Sequence, residues 1–174
     1  MQHPKKGDFM KKSMAIFAGF LFFMGVSFAE GYVNANDLET GSFKSKVELE
    51  DGFALYGSEE KPINVDVTEV PTAPDGEVFT KRINTKGGGS TTFRSVSFPV
   101  KSGEKVTVYA MSGSKTDTRT LLFMNEAGEQ VAEMDVAPYT GGVIAINSFK
   151  ASADGTLFTW SKSGGIYIYC IKVE

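Results

Sequence analysis

Alternation of apolar and polar residues with a period of two, interrupted every few residues by turn-forming pairs, is the feature that most limits what this chain can fold into. In Ile63-Asn64-Val65-Asp66-Val67 the three aliphatic side chains share one face and the polar pair takes the other. Val96, Phe98 and Val100 alternate with Ser95, Ser97 and Pro99, and Val106, Val108 and Ala110 oppose Lys105, Thr107 and Tyr109. Near the end, Ile166, Ile168 and Cys170 are set to face one way and Tyr167, Tyr169 and Ile171 the other. Successive side chains of a strand point to opposite faces, so each run reads as a half-buried strand. Between the runs lie turn formers such as Asp51-Gly52, Pro74-Asp75-Gly76, Gly87-Gly88-Gly89, Ser102-Gly103, Ala127-Gly128, Gly141-Gly142, Asp154-Gly155 and Gly164-Gly165. That density of turns, with no apolar stripe of helical period after Met24, predicts about nine to eleven short strands. The expected fold is an all-β antiparallel β-sandwich, jelly-roll-like, as one domain over residues 36–174 behind a short segment 30–35.

Residues 1–29 read as a cleaved signal peptide. Lys11 and Lys12 precede a largely apolar run of fifteen residues, Met14 to Phe28, and Ser27-Phe28-Ala29 offers small residues where a signal peptidase reads. A membrane span needs about twenty apolar residues, more than this run supplies. Cleavage is expected between Ala29 and Glu30, giving an exported protein (secreted, at the cell surface or in a periplasm) with no membrane anchor after cleavage and a monomeric state. Four of the 18 Lys and Arg and one of the 21 Asp and Glu lie in this leader, which leaves 14 against 20 and a net charge of −6. Such a balance disfavours nucleic acid as a partner.

The same cut removes His3, the single histidine. Serine–histidine and cysteine–histidine nucleophile pairs are then excluded, and zinc loses its usual imidazole ligands. One cysteine, Cys170, permits neither an intramolecular disulfide nor a thiolate cluster, so the fold must rest on its core. Cys170 reads as a small buried hydrophobe. The closely spaced acidic ladder and glycine turn of a calcium loop are missing. No catalytic residue, metal or cofactor is expected, although paired carboxylates or a basic residue could still serve a small polysaccharide lyase or hydrolase.

Basic residues are unevenly spread along this acidic chain. Lys81, Arg82, Lys86 and Arg94 fall within fourteen residues, around a glycine triplet that lets the backbone approach a ligand closely or take positive φ. Lys115 and Arg119 lie in the polar loop Ser112–Arg119, and Lys162 follows Trp160 just before Ser163-Gly164-Gly165. Read from spacing alone, these are either solvated surface charges around ordinary turns or the footprint of an anionic ligand. Trp160 shares a face with Phe158 and Lys162; the pair is expected in the core first, with Trp160 as a candidate aromatic platform second.

Three stretches, "FTKRINTKGGGSTTFRSVSFPV", "VTVYAMSGSKTDTRTLLFMNEAGEQV" and "GTLFTWSKSGGIYIYCIKV", resemble the pectin-binding modules appended to bacterial pectate and rhamnogalacturonan lyases, carbohydrate-binding module family 77 or a close relative. The resemblance covers most of the chain after residue 30 and is weakest before residue 78. Trp160 stands where a tyrosine is common, and Thr116-Asp117-Thr118-Arg119 replaces a serine-rich run. What the resemblance implies is a sandwich that binds homogalacturonan or a related acidic plant cell-wall polysaccharide. By position, Lys81, Arg82, Lys86, Arg94, Lys115, Arg119 and Lys162 become the candidate ligand contacts, with Arg94 and Arg119, beside strand starts, equally suited to bracing loops. A galacturonate chain carries one carboxylate per sugar, which suits cations spaced along one surface. The alternative readings are a structural or adhesive cell-envelope sandwich without glycan binding and, behind it, the small lyase.

Overall fold

The computed structural model describes residues 30–69, 72–139 and 143–174; the expected leader and the Gly141-Gly142 turn lie outside them. Thirteen strands are found among the described residues: β1 (Gly31–Asn34), β2 (Gly41–Phe43), β3 (Val47–Glu48), β4 (Ala54–Tyr56), β5 (Ile63–Val67), β6 (Lys81–Asn84), β7 (Ser95–Val100), β8 (Lys105–Ser112), β9 (Arg119–Met124), β10 (Gln130–Val136), β11 (Ala145–Lys150), β12 (Gly155–Ser161) and β13 (Ile166–Val173). The surplus over the expected nine to eleven comes from β2, β3 and β4, each of two or three residues and too short to show a period. The segment before Asn36, set apart in the sequence, supplies β1, which pairs antiparallel with β13.

The strands form two antiparallel sheets. One has the order β11-β8-β13-β6-β5-β2, with β1 also on β13, and the other the order β10-β9-β12-β7-β4-β3. From β7 onward the chain repeatedly crosses from one sheet to the other, as in a jelly roll. The inward residues are those the alternation selected: Ile63 and Val65 on β5, Val96 and Phe98 on β7, Val106 and Val108 on β8. Phe53 stacks on Phe98 at 5.6 Å in the middle of this core. Each such side chain contributes about 1.5–3 kcal/mol on burial, which lets the sandwich stand without a disulfide.

The last strand departs from simple alternation. A bulge between Ile168 and Cys170 adds a residue, so Ile168 pairs with Ala110 and Cys170 with Tyr109. An extra residue reverses the faces beyond it. Ile171 and Val173 therefore return to the core between the sheets, whereas Cys170 points outward with Tyr169. This corrects the reading that put Cys170 with Ile166 and Ile168.

Outward does not mean solvated here. Tyr109, Met111, Tyr169 and Cys170 form a second apolar cluster on the outer face of the first sheet, covered by Ala73, Phe79 and Ile144. The Phe79 ring lies 5.8 Å from that of Tyr109 and 5.4 Å from that of Tyr169. Burial pushes the Cys170 thiol up to about 12, outside the range in which it reacts.

Polar contacts strap the covering loop 72–80 to the sheet. The Tyr109 hydroxyl donates to Asp75 at 2.7 Å, Lys172 Nζ reaches Glu77 at 2.7 Å, and Asn36 Oδ1 accepts from Thr80 N at 2.8 Å. The bond from Tyr109 holds the Asp75 carboxyl below its ordinary value of 3.8, and Glu77 first, then Tyr109, holds the Lys172 ammonium above 10.5. A depressed carboxylate contributes stability that is present above its ordinary pKa and lost as pH falls through the folded value; a raised ammonium contributes stability lost as pH rises through its own. The strap is thus expected to hold through neutral pH and to loosen below pH 3.8 and above pH 10.5. Near-ultraviolet circular dichroism of the buried tyrosines across pH 2–12 measures this, with loss of signal at both extremes.

Candidate functional site

One end of the sandwich collects the loops that the sequence marked. β6 ends there and β7 begins, β8 ends and β9 begins, β12 ends and β13 begins, so the segments 85–94, 113–118 and 162–165 lie side by side. Their contacts are close enough to require glycine. A Cβ on Gly87 would stand 2.2 Å from the Ser163 carbonyl oxygen, and one on Gly89 would stand 2.5 Å from Trp160 Cβ. The triplet, between β6 and β7, thus packs closely against the end of β12 and the β12–β13 loop, and Gly88 takes φ 60°.

Two arginines brace these loops. Arg94 Nη1 donates to the Gly87 carbonyl at 2.7 Å and closes the glycine loop on itself. Arg119 Nη1 donates to the Gly165 carbonyl, which also accepts from Gly113 N at 2.8 Å. The Arg119 guanidinium occupies space that a side chain at Gly164 would need, 2.2 Å from the position of its Cβ. Lys86 and Arg94 are held at φ 52° and 51°, a conformation that costs about 1–3 kcal/mol for non-glycine residues and persists only where the surroundings impose it. For Lys86 part of that imposition is its N–H bond to Asn84 Oδ1 at 3.0 Å.

The side chains at this end divide by situation. Lys115 and Lys162 are exposed and Lys86 is half-buried. Neither the Lys86 nor the Lys162 ammonium has a partner among the described residues. Lys81 stands apart from them. It begins β6 at the opposite end, where its ammonium donates to the carbonyls of Asn36 at 3.0 Å and Leu38 at 2.6 Å. Arg82 lies on the outer face of the first sheet with its guanidinium carbon 3.7 Å from the centre of the Tyr167 ring.

Other cations reach the same end by routes the sequence did not reveal. Tyr56, the last residue of β4, pairs with Ser95, the first of β7, and Phe43 at the end of β2 pairs with Ile63 at the start of β5. The turns 44–46 and 57–62 therefore join the cluster of loops. Lys46 Nζ lies 5.3 Å above the Tyr56 ring and 2.5 Å from Glu48, and Lys61 Nζ lies 4.2 Å above the Phe93 ring. Only strand order could have found them. The turns at the far end instead carry Glu50, Asp51, Glu104, Glu126, Glu129 and Asp154, so the molecule is basic at one end and acidic at the other.

Trp160 corrects one expectation. On β12, Leu157 packs into the core between the sheets, whereas Phe158 and Trp160 project from the outer face of the second sheet. The strand is apolar on both sides, and the larger aromatic pair misdirected the reading of which side is inward. Phe158 is sealed by the Tyr56 ring at 5.5 Å, while Trp160 stays half-buried beside the glycine loop.

No group of His, Cys, Asp and Glu side chains among the described residues is arranged to hold a metal ion. A groove of about 520 Å³ lies at the acidic end, lined by Glu126, Glu129 and Asp154 with Lys150. The basic end is made by loop tips and the adjoining sheet face.

No protein-family model matches this sequence, and no curated protein matches it. Among solved structures it is similar to the C-terminal family 6 carbohydrate-binding module of LamC, a marine laminarinase from Zobellia galactanivorans, at 24% identity and a TM-score of 0.39 over 63% of this chain and 89% of that one. It is also similar to a family 6 module from Clostridium stercorarium in complex with cellobiose, at 13% identity and a TM-score of 0.41 over 75% of this chain and 95% of that one. A third is the family 22 module with the catalytic module of a Clostridium thermocellum xylanase, complexed with xylohexaose, at 17% identity and a TM-score of 0.47; there this chain covers 28% of the other and 79% of itself is aligned. Each is a carbohydrate-binding module or carries one.

Proposed function

We propose that this protein is an exported, non-catalytic module that binds an acidic, pectin-like polysaccharide at its basic loop end. The observation that carries this reading is the gathering of Lys86, Lys115 and Lys162 around loops pinned by Arg94 and Arg119. A basic surface suits a polymer that passes over it, and the carboxylates of a galacturonate chain supply the complementary charge. The resemblance of these same loops to pectin-binding modules supports the polymer class. Lys81 and Arg82 belong to bracing contacts in this reading and not to the ligand surface.

Charge-assisted contacts contribute about 1.5–3 kcal/mol when shielded and exposed pairs about 0.2–1 kcal/mol. A few of them correspond to affinity on the order of tens of micromolar to millimolar. Screening over about 8 Å at physiological ionic strength weakens such contacts. The test is retention of residues 30–174 by polygalacturonate at low and physiological salt, beside a neutral glucan. Retention by the acidic polymer alone, falling as salt rises, is expected. Equal passage through both polymers at low salt would reject the proposal.

A further inference from the structure

The outer face of the second sheet carries an aromatic strip where an antiparallel sheet ordinarily shows polar side chains to water. Tyr56 on β4 meets Phe158 on β12 edge to face at 5.5 Å, above the small serines of the intervening β7. Trp160 continues the strip on β12, and Leu122 on β9 is its cross-strand neighbour. Phe158 is buried beneath this strip, and Tyr56, Trp160 and Leu122 are half-buried, so the rings that reach the surface are those of Tyr56 and Trp160.

Lysines bound the strip at both ends. Lys162 follows Trp160 by two residues, and Lys46 sits over the Tyr56 ring, one strand beyond β4. Strands lie about 4.8 Å apart, so the line from β12 across β7 and β4 to β3 is about 14 Å long and runs across the strands. A uronate sugar matches this layout chemically. The C–H face of its pyranose ring packs on an aromatic ring, and the carboxylate at its edge meets an ammonium. A neutral glycan would leave Lys162, at one end of the strip, without a counter-charge.

Accordingly, we infer that the rings of Trp160 and Tyr56, braced by the buried Phe158 and flanked by Lys162 and Lys46, are a second part of the ligand surface, on which several consecutive uronate residues lie lengthwise across β12, β7 and β4. This rests on the proposed binding of an acidic polysaccharide and adds where the chain lies, which rings it touches and that internal stretches of polymer are bound. It also assigns an opposing element. Glu48 pairs with Lys46 at 2.5 Å at the edge of the strip, both are exposed, and the carboxylate repels an anionic ligand.

The experiment uses two readouts that do not disturb the fold. Trp160 is the single tryptophan, and its emission reports on the end of the strip beside the glycine loop, while Glu48 reports on the far end, at Tyr56. Titration with oligogalacturonates of increasing length is expected to shift that emission, with affinity rising until the oligomer spans the strip. Glu48→Gln, an exposed change, is expected to tighten binding by about threefold at low salt. If the unsubstituted protein is retained by polygalacturonate while Glu48→Gln is neutral, whatever the Trp160 emission does, the ligand is confined to the loop tips and this inference fails while the binding proposal stands. Absence of retention altogether removes both.

Discussion

Phe79→Ala is expected to lower the stability of the protein by about 3–5 kcal/mol, a large part of the roughly 5–15 kcal/mol that holds a domain of this size together. Phe79 is fully buried and is the side chain that loop 72–80 drives between Tyr109 and Tyr169. Truncation leaves a void between two rings that the bulged β13 cannot close, because Tyr169 is itself fully buried. Urea unfolding followed by circular dichroism gives the number. Binding by the folded protein is expected to be unchanged, since this cluster lies on the first sheet and away from the basic end. A loss below about 1 kcal/mol would mean that the loop contributes little to the fold.

The double variant Lys86→Ala with Lys162→Ala is expected to weaken retention by polygalacturonate about a hundredfold at low salt. Each ammonium lacks a protein partner among the described residues, so its removal deletes a ligand contact without leaving a buried charge behind. At about 1.5 kcal/mol for the half-buried Lys86 and up to about 1 kcal/mol for the exposed Lys162, the two contacts approach two factors of ten. The difference from the unsubstituted protein is expected to shrink as salt rises, because the deleted part is the screened part. Lys150→Ala, an exposed cation on β11 beside the acidic groove, is expected to bind as the unsubstituted protein does.

The strands with two or three alternating residues on each face, β5, β7 and β8, were legible in the sequence because a face buried between two sheets imposes that period. β2, β3 and β4 were not, since a strand of two or three residues has no period to show. The bulge in β13 was hidden because Ile166–Ile171 is apolar on both faces, so neither register costs anything in the sequence. The candidate site was legible loop by loop. Glycines beside basic residues pointed to segments 85–94, 113–118 and 162–165, and the topology brings these together. Lys81 was grouped with Lys86 because the two are neighbours in sequence, yet along an extended strand that separation is about 16 Å, enough to put them toward opposite ends. Lys46 and Lys61 went unnoticed for the converse reason: strand order unites what the chain separates.

The position of β13 has a consequence for how the protein comes to be folded. It follows the other described strands in sequence, yet it lies inside the first sheet, between β8 and β6, with β1 also attached to it. Until Ile166–Val173 has been synthesised, β8 and β6 have no strand to join them and β1 has no partner. Pairings this distant in sequence form slowly, after the chain ends have searched for one another. The first sheet of a nascent chain of this design therefore stays split into separate pieces until β13 has emerged to join them.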